Sequence, residues 1–97
     1  MEVEFLDKSL ELLLTVRAAE TKLPISVINS FRKKYQVLRA APDERTLRNW
    51  KSLHYEKLAG FNDGRMSIRL NDQWRLIFTI RVEIEKRISI FSIEDYH

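Results

Sequence analysis

The chain has 97 residues, a length that supports one domain with a limited core. Hydrophobic residues make up 44% and charged residues 32%, with only two Gly and two Pro, which excludes a disordered or low-complexity chain. There is no Cys, which excludes a disulfide scaffold and a thiolate zinc site and suits a reducing cytoplasm.

Met1-Glu2-Val3-Glu4-Phe5 is acidic where a signal peptide would be basic. The best apolar run, Leu12 to Val16, is too short to span a bilayer. A soluble cytoplasmic protein with no membrane partner is expected. The net charge of +3 conceals a segregation: residues 1–30 carry −2, residues 31–82 carry +7, and residues 83–97 carry −2. The middle segment is therefore the candidate for binding a polyanion. Its cations Arg32, Lys33, Arg39, Arg48, Lys51 and Arg65 are the candidate phosphate contacts. The plainer account of such residues is a solvated surface.

In chain order, Glu2-Val3-Glu4-Phe5 alternates as a short strand does. Asp7 can cap a helix running through Leu10, Leu13 and Leu14. Pro24 opens a second helix, with Ile25, Ile28, Phe31, Tyr35 and Leu38 as its apolar stripe. Arg32 and Arg39 lie off that stripe, toward solvent or a partner. Pro42 ends this helix, and Asp43 can cap a further short turn reaching Trp50.

The period then changes to two. Met66, Ile68 and Leu70 alternate with Arg65, Ser67 and Arg69, and Trp74, Leu76, Phe78, Ile80 and Val82 alternate with polar or mixed positions. Asn71 begins the turn between these strands. A two-residue loop would set Arg69 opposite Trp74 and mix the faces. A loop over 71–73 sets Arg69 opposite Arg75 and Leu70 opposite Trp74, so the apolar faces agree. Arg69 and Arg75 are then expected side by side on one face, exposed enough that truncating either costs little stability. Like charges placed so are unfavourable unless an anion lies between them. A last strand from about Arg87 to Asp95 has ambiguous parity: Ile88 and Ile90 can face the core, or Phe91 and Ile93 can. The fold expected is α+β, a single domain over 1–97 with two N-terminal helices packed on one face of a small, mainly antiparallel sheet.

The chain has two histidines, His54 and His97. Taken singly, a lone or terminal His is more often structural or incidental. The motifs around them carry more. Leu53-His54-Tyr55-Glu56-Lys57-Leu58-Ala59-Gly60 is followed by Ser67-Ile68-Arg69-Leu70-Asn71-Asp72-Gln73-Trp74-Arg75-Leu76, and the chain closes with Glu94-Asp95-Tyr96-His97. This order resembles the HigB branch of the RelE/ParE toxin superfamily. The hairpin and the terminal Asp-Tyr-His are the specific parts, and the likeness covers the whole chain.

The resemblance implies a RelE-like domain, ribosome-dependent cleavage of mRNA, and neutralisation by a helix-turn-helix antitoxin. It places the family's functional positions on His54, Lys57, Arg69, Arg75, Asp95, Tyr96 and His97, with no metal and no cofactor. The basic residues named above become RNA or ribosome contacts. Tyr55-Glu56 departs from the family's Pro-Leu after the histidine, and Asn62-Asp63-Gly64 lengthens the approach to the next strand.

The chemistry stands on the residue types as well. RNA carries its own nucleophile, the 2′-OH. Either histidine can act as base or acid near neutral pH. Arg69 and Arg75 can grip non-bridging phosphate oxygens, and Lys57 can add charge near the same phosphate. Tyr96 can stack on a base, and Asp95 can orient a histidine or simply end a strand. A metal hydrolase lacks the ligand spacing it would need. Two rivals remain: a ParE-like inhibitor of DNA gyrase that cuts nothing, and an RNA- or ribosome-binding blocker of translation. Because the middle segment carries +7, affinity for RNA or ribosomes should fall steeply with added salt. A salt titration of binding measures this, and a flat affinity would refute it.

Overall fold

A computed structural model describes residues 1–82 and 85–95. Five strands form one sheet: β1 (Glu2–Phe5), β2 (Glu56–Lys57), β3 (Met66–Arg69), β4 (Trp74–Val82) and β5 (Lys86–Asp95), in the order β1-β5-β4-β3-β2. β1 runs parallel to β5, and every other pair is antiparallel. Two α-helices, α1 (Ile25–Ala40) and α2 (Glu44–Asn49), share one core with the sheet. The fold is α+β, as expected.

The expected first helix forms, but as a 3₁₀ helix over Lys8–Leu14. Asp7 caps it, accepting from the Ser9 N–H at 3.0 Å. In a 3₁₀ helix residues i and i+3 share a face, so Leu10 and Leu13 are buried and Leu14 is turned outward. The leucine spacing suits either helix type.

α1 begins after Pro24 and stops before Pro42. Its buried face is Val27, Ile28, Phe31 and Leu38, with Tyr35 partly buried beside them. Ile25 does not join the stripe. It lies in the first turn, one turn before the buried stripe begins, and is 76% exposed. The Met1 ammonium donates to the carbonyls of Leu38, Arg39 and Ala41, placing a cation where α1 has orphan acceptors and the negative end of its dipole. Asp43 caps α2 as expected. The Thr46 N–H that it accepts, at 3.0 Å, holds its carboxyl below the usual carboxylate range.

The β3–β4 register is the expected one: Ile68 faces Leu76 and Arg69 faces Arg75. Met66, Ile68, Leu76 and Phe78 thus turn toward the helices, while Ser67, Arg69, Arg75 and Thr79 occupy the other face. In β5 both parities occur, because of a bulge. Ile90 pairs with Phe78 and Ser92 with Ile77, so Phe91 is the extra residue. Ile88, Ile90 and Ile93 therefore all turn toward the helices, and Phe91 lies on the arginine face. β1 is held on β5 by Glu4, which accepts from the Ser89 hydroxyl at 2.5 Å and lies 3.5 Å from Arg87 and 3.7 Å from Arg81.

Tyr55 leads into β2 and packs its ring on Phe78, with centroids 6.1 Å apart. Among the described residues its hydroxyl is buried without a hydrogen-bond partner. Burial, aided by the nearby Glu44 carboxylate, pushes the phenol up to about 12. The folded chain thus favours the neutral phenol. That preference carries no pH dependence below the ordinary value of 10.0, and the associated stability is lost as pH rises from there toward about 12. Tyr55→Phe removes the unpaired hydroxyl, so the variant should be as stable as the wild type or more so, by up to about 1 kcal/mol. It should also lose less stability between pH 10 and 12. Urea unfolding of both proteins across that range checks this, and a clear destabilisation near neutral pH would show that the hydroxyl has a partner.

Candidate functional site

The arginine face is built by the hairpin. Asn71 accepts from the backbone N–H groups of Gln73 and Trp74 at 2.9 and 2.8 Å, and this closes the loop over 71–73. α1 anchors the loop: Ser30 donates to the Leu70 carbonyl at 2.5 Å, and the Asn71 amide reaches Ser26 at 3.4 Å. The two arginines then lie directly opposite each other.

They differ in environment. Arg75 has a side chain only 15% exposed and is held at both ends of its guanidinium. Its Nε donates to the Ser67 hydroxyl at 2.9 Å, and an Nη donates to the His54 carbonyl at 2.6 Å. Glu56 is 3.9 Å away, and its carboxylate is exposed. Arg75 is thus more enclosed than a surface position implies, and its removal should cost stability, contrary to the expectation for an exposed side chain. Arg69 is half-buried, and its guanidinium has no hydrogen bond or ion pair among the described residues. One arginine is fixed and its neighbour is free, which is a suitable arrangement for gripping an anion.

His54 ends a 3₁₀ turn over Lys51–Leu53 and adopts a left-handed backbone, φ 49 and ψ 52. A histidine pays a penalty for that conformation. Here it turns the carbonyl onto Arg75 and leaves the imidazole exposed. His54, Arg69 and Arg75 are thus brought together through one hydrogen bond and one register pairing.

The other expected site residues fall elsewhere. β2 pairs Glu56 with Ser67 and Lys57 with Met66. Glu56 therefore shares the arginine face, whereas Lys57 is on the helix face at the sheet edge and exposed. Asp95 pairs with Trp74, also on the helix face, and accepts from the Gln73 amide at 3.3 Å. Glu94, not Asp95, stands opposite Arg75. The bulge at Phe91 causes this shift. Tyr96 and His97 lie outside the described residues.

The basic residues divide likewise. Arg32 donates to the carbonyls of Leu13 and Thr15 at 2.7 and 2.9 Å, and so caps the 3₁₀ helix. Arg39 lies 5.8 Å from the centre of the Tyr35 ring, and Arg48 pairs with Glu44. Lys33 and Lys51 are exposed. Arg65 faces the sheet on the arginine side, over Phe61 and Phe91, with centroids at 4.2 and 4.3 Å. The cations of α1 lie across the sheet from Arg69 and Arg75. Sequence reasoning missed Ser67 and Glu56 as neighbours of Arg75. For Ser67 the available signal was its place on the arginine alternation, at i−2 from Arg69, whereas Glu56 joins this face only through the register of β2. Among the described residues no group of three or more His, Asp and Glu could hold a metal ion.

The RelE-like toxins of type II toxin-antitoxin systems, HigB type, match residues 3–96. The chain belongs to this toxin family. It is 38% identical over 78 residues to Toxin HigB-1 of Vibrio cholerae, covering 80% of this chain and 82% of that protein. A YoeB/ParE toxin from Agrobacterium tumefaciens shares the fold, with a TM-score of 0.58 over 100% of both chains at 12% identity. Membership of a type II system implies an antitoxin as partner. No described helix is long and apolar enough to cross a membrane.

The two arginines of this toxin should respond differently to truncation. Arg75→Ala removes two hydrogen bonds from a largely enclosed guanidinium and should cost about 2 kcal/mol of unfolding free energy. Arg69→Ala should change stability by less than about 0.5 kcal/mol, since it breaks no pairing and relieves a like-charge contact. Denaturant unfolding of both variants decides this, and equal losses would mean that Arg75 is not tethered.

Proposed function

We propose that this toxin is an endoribonuclease that cleaves mRNA on the translating ribosome, and that a helix-turn-helix antitoxin neutralises it. The observation that carries the reading is the Arg69–Arg75 pair, with one guanidinium tethered and the other without a partner among the described residues. A phosphate between them relieves the repulsion of the like charges and gains charge-assisted hydrogen bonds.

In this reading the scissile phosphate sits on the two arginines. The 2′-OH of the preceding nucleotide attacks the phosphorus, and a base takes its proton. The P–O5′ bond breaks, an acid protonates the leaving 5′-oxygen, and a 2′,3′-cyclic phosphate and a 5′-OH result. The arginines stabilise the charge that grows on the non-bridging oxygens. His54 stands at this site as one proton carrier. In this reading Tyr96 and His97 serve the same centre, with His97 as the second proton carrier, which the resemblance of the closing Asp-Tyr-His to the family supports. Lys57 and Asp95, on the helix face, serve at the rim, as contacts to the message or the ribosome. The scheme takes its nucleophile from RNA and its charge stabilisation from guanidinium groups, so it needs no metal or cofactor.

Brief induction of the wild type, Arg69→Ala and His97→Ala in bacteria, followed by mapping of mRNA 5′ ends, tests this. New ends within translated frames are expected for the wild type alone, with a loss of at least about 100-fold in either variant. Growth arrest without new ends would overturn the nuclease reading. DNA breaks would then point to gyrase, and intact stalled messages to a translation blocker.

A further inference from the structure

Beyond the arginine pair, the same sheet face carries an aromatic feature that the cleavage scheme does not use. β2 and β3 continue past their last paired residues, with the Leu58 N–H donating to the Arg65 carbonyl at 2.9 Å. Arg65, Ser67 and Arg69 therefore stand on one face at alternate positions. The loop between Leu58 and Arg65 turns at Gly60 and Gly64, both with positive φ, and carries Phe61 back over Arg65. The Arg65 guanidinium lies over Phe61 at 4.2 Å and over Phe91 at 4.3 Å, and its Nε donates to Asp63 at 2.8 Å. Phe61 is nonetheless 42% exposed. An aromatic ring backed by a fixed guanidinium, with its remaining surface in water, matches the stacking platforms that bind unpaired bases.

The spacing fits a strand of RNA. Arg69 follows Arg65 by four strand residues, about 13 Å at the usual rise. An extended single strand crosses that distance in a few nucleotides. Phe91 reaches this face by alternation from Ile90, and the bulge there lets Ile93 still turn toward the helices. Packing on Arg65 accounts for the inner side of Phe61 but leaves its exposure unexplained.

We propose that Phe61, backed by Arg65 and Phe91, is a nucleobase-stacking subsite for a nucleotide that flanks the phosphate held by Arg69 and Arg75. The proposal rests on the ribonuclease reading for the identity of the strand. The subsite is indifferent to base identity, since every base offers a π-face.

The test measures affinity of the full chain for ribosomes carrying a short message blocked by a 2′-O-methyl group at the cleavage site. Each nucleotide near that site is replaced in turn by an abasic one. Phe61→Leu keeps an apolar side chain and removes the aromatic face, whereas Phe61→Trp keeps the face. Phe61→Leu should weaken binding by about 5- to 150-fold, and Phe61→Trp should bind at least as well as wild type. One abasic position should weaken wild-type binding by the same factor and leave Phe61→Leu no weaker still. Thermal unfolding of the variants confirms that they are folded.

Independent, additive losses from Phe61→Leu and from every abasic position would overturn the stacking subsite. If Arg69→Ala still weakened binding in that case, the ribonuclease reading would survive. Failure of the wild type to bind either ribosome would instead overturn that reading, and the subsite with it.

Discussion

Asn71 accepts two backbone hydrogen bonds within its own turn, and the two faces of the sheet follow from them. The side chain holds the hairpin loop over 71–73. A loop of that length sets Leu70 against Trp74 and Arg69 against Arg75. A slip of one residue would set Arg69 opposite Trp74, turning one arginine toward the core and one of Ile68 and Leu76 outward, so the apolar burial of this face and the pairing of the cations are one constraint. α1 secures the same turn through Ser26 and Ser30, which lie on one side of the helix at i and i+4. The helix layer thereby positions a site on the opposite side of the sheet without contributing a side chain to it.

The bulge at Phe91 does for β5 what Asn71 does for the hairpin. A strand of strict alternation could bury Ile88 and Ile90, or Phe91 and Ile93, but not three of these isoleucines together. One extra residue reconciles them, and all three meet the helices. Phe91 lies on the arginine face by alternation from Ile90, and the extra residue then puts Glu94, not Asp95, on that face across from Arg75. A packing requirement of the core thus decides which carboxylate stands beside the cations, and it supplies one ring of the Phe61–Arg65–Phe91 stack.

What could be read from the residues was what depends on alternation and on local caps. Asp7 and Asp43 cap helices, Pro24 and Pro42 bound α1, and the apolar pattern around Asn71 selects the register. Each of these is decided within a few residues of the signal. The features that escaped depend on distant partners or on geometry that side-chain type does not encode. Leucines at i and i+3 fit a 3₁₀ helix as well as an α-helix. Arg32 looks like a surface cation until the end of the 3₁₀ helix brings two carbonyls to it. The bulge leaves no mark in composition, so the placement of Asp95 could not be foreseen. The short strand β2 has only two residues, too few for a pattern, and its register alone separates Glu56 from Lys57.

The identity of the groups that hold Arg75 bears on how the site works. Its close partners are a serine hydroxyl and a peptide carbonyl, both neutral. They orient the guanidinium without cancelling its charge. A buried carboxylate in their place would fix the side chain equally well but would compete with a phosphate for the same donors. The carboxylate that does approach, Glu56, is 3.9 Å away and mostly in solvent, where such a pair is weak and easily exchanged. Binding an anion therefore requires no strong ion pair to break at Arg75 and none among the described residues at Arg69. The cost of this arrangement is repulsion between two neighbouring cations, which the phosphate of the proposed reading would remove. The left-handed backbone of His54 belongs to the same balance: the Arg75 hydrogen bond to its carbonyl helps stabilise that conformation, so the tethered guanidinium also fixes the backbone from which the imidazole projects.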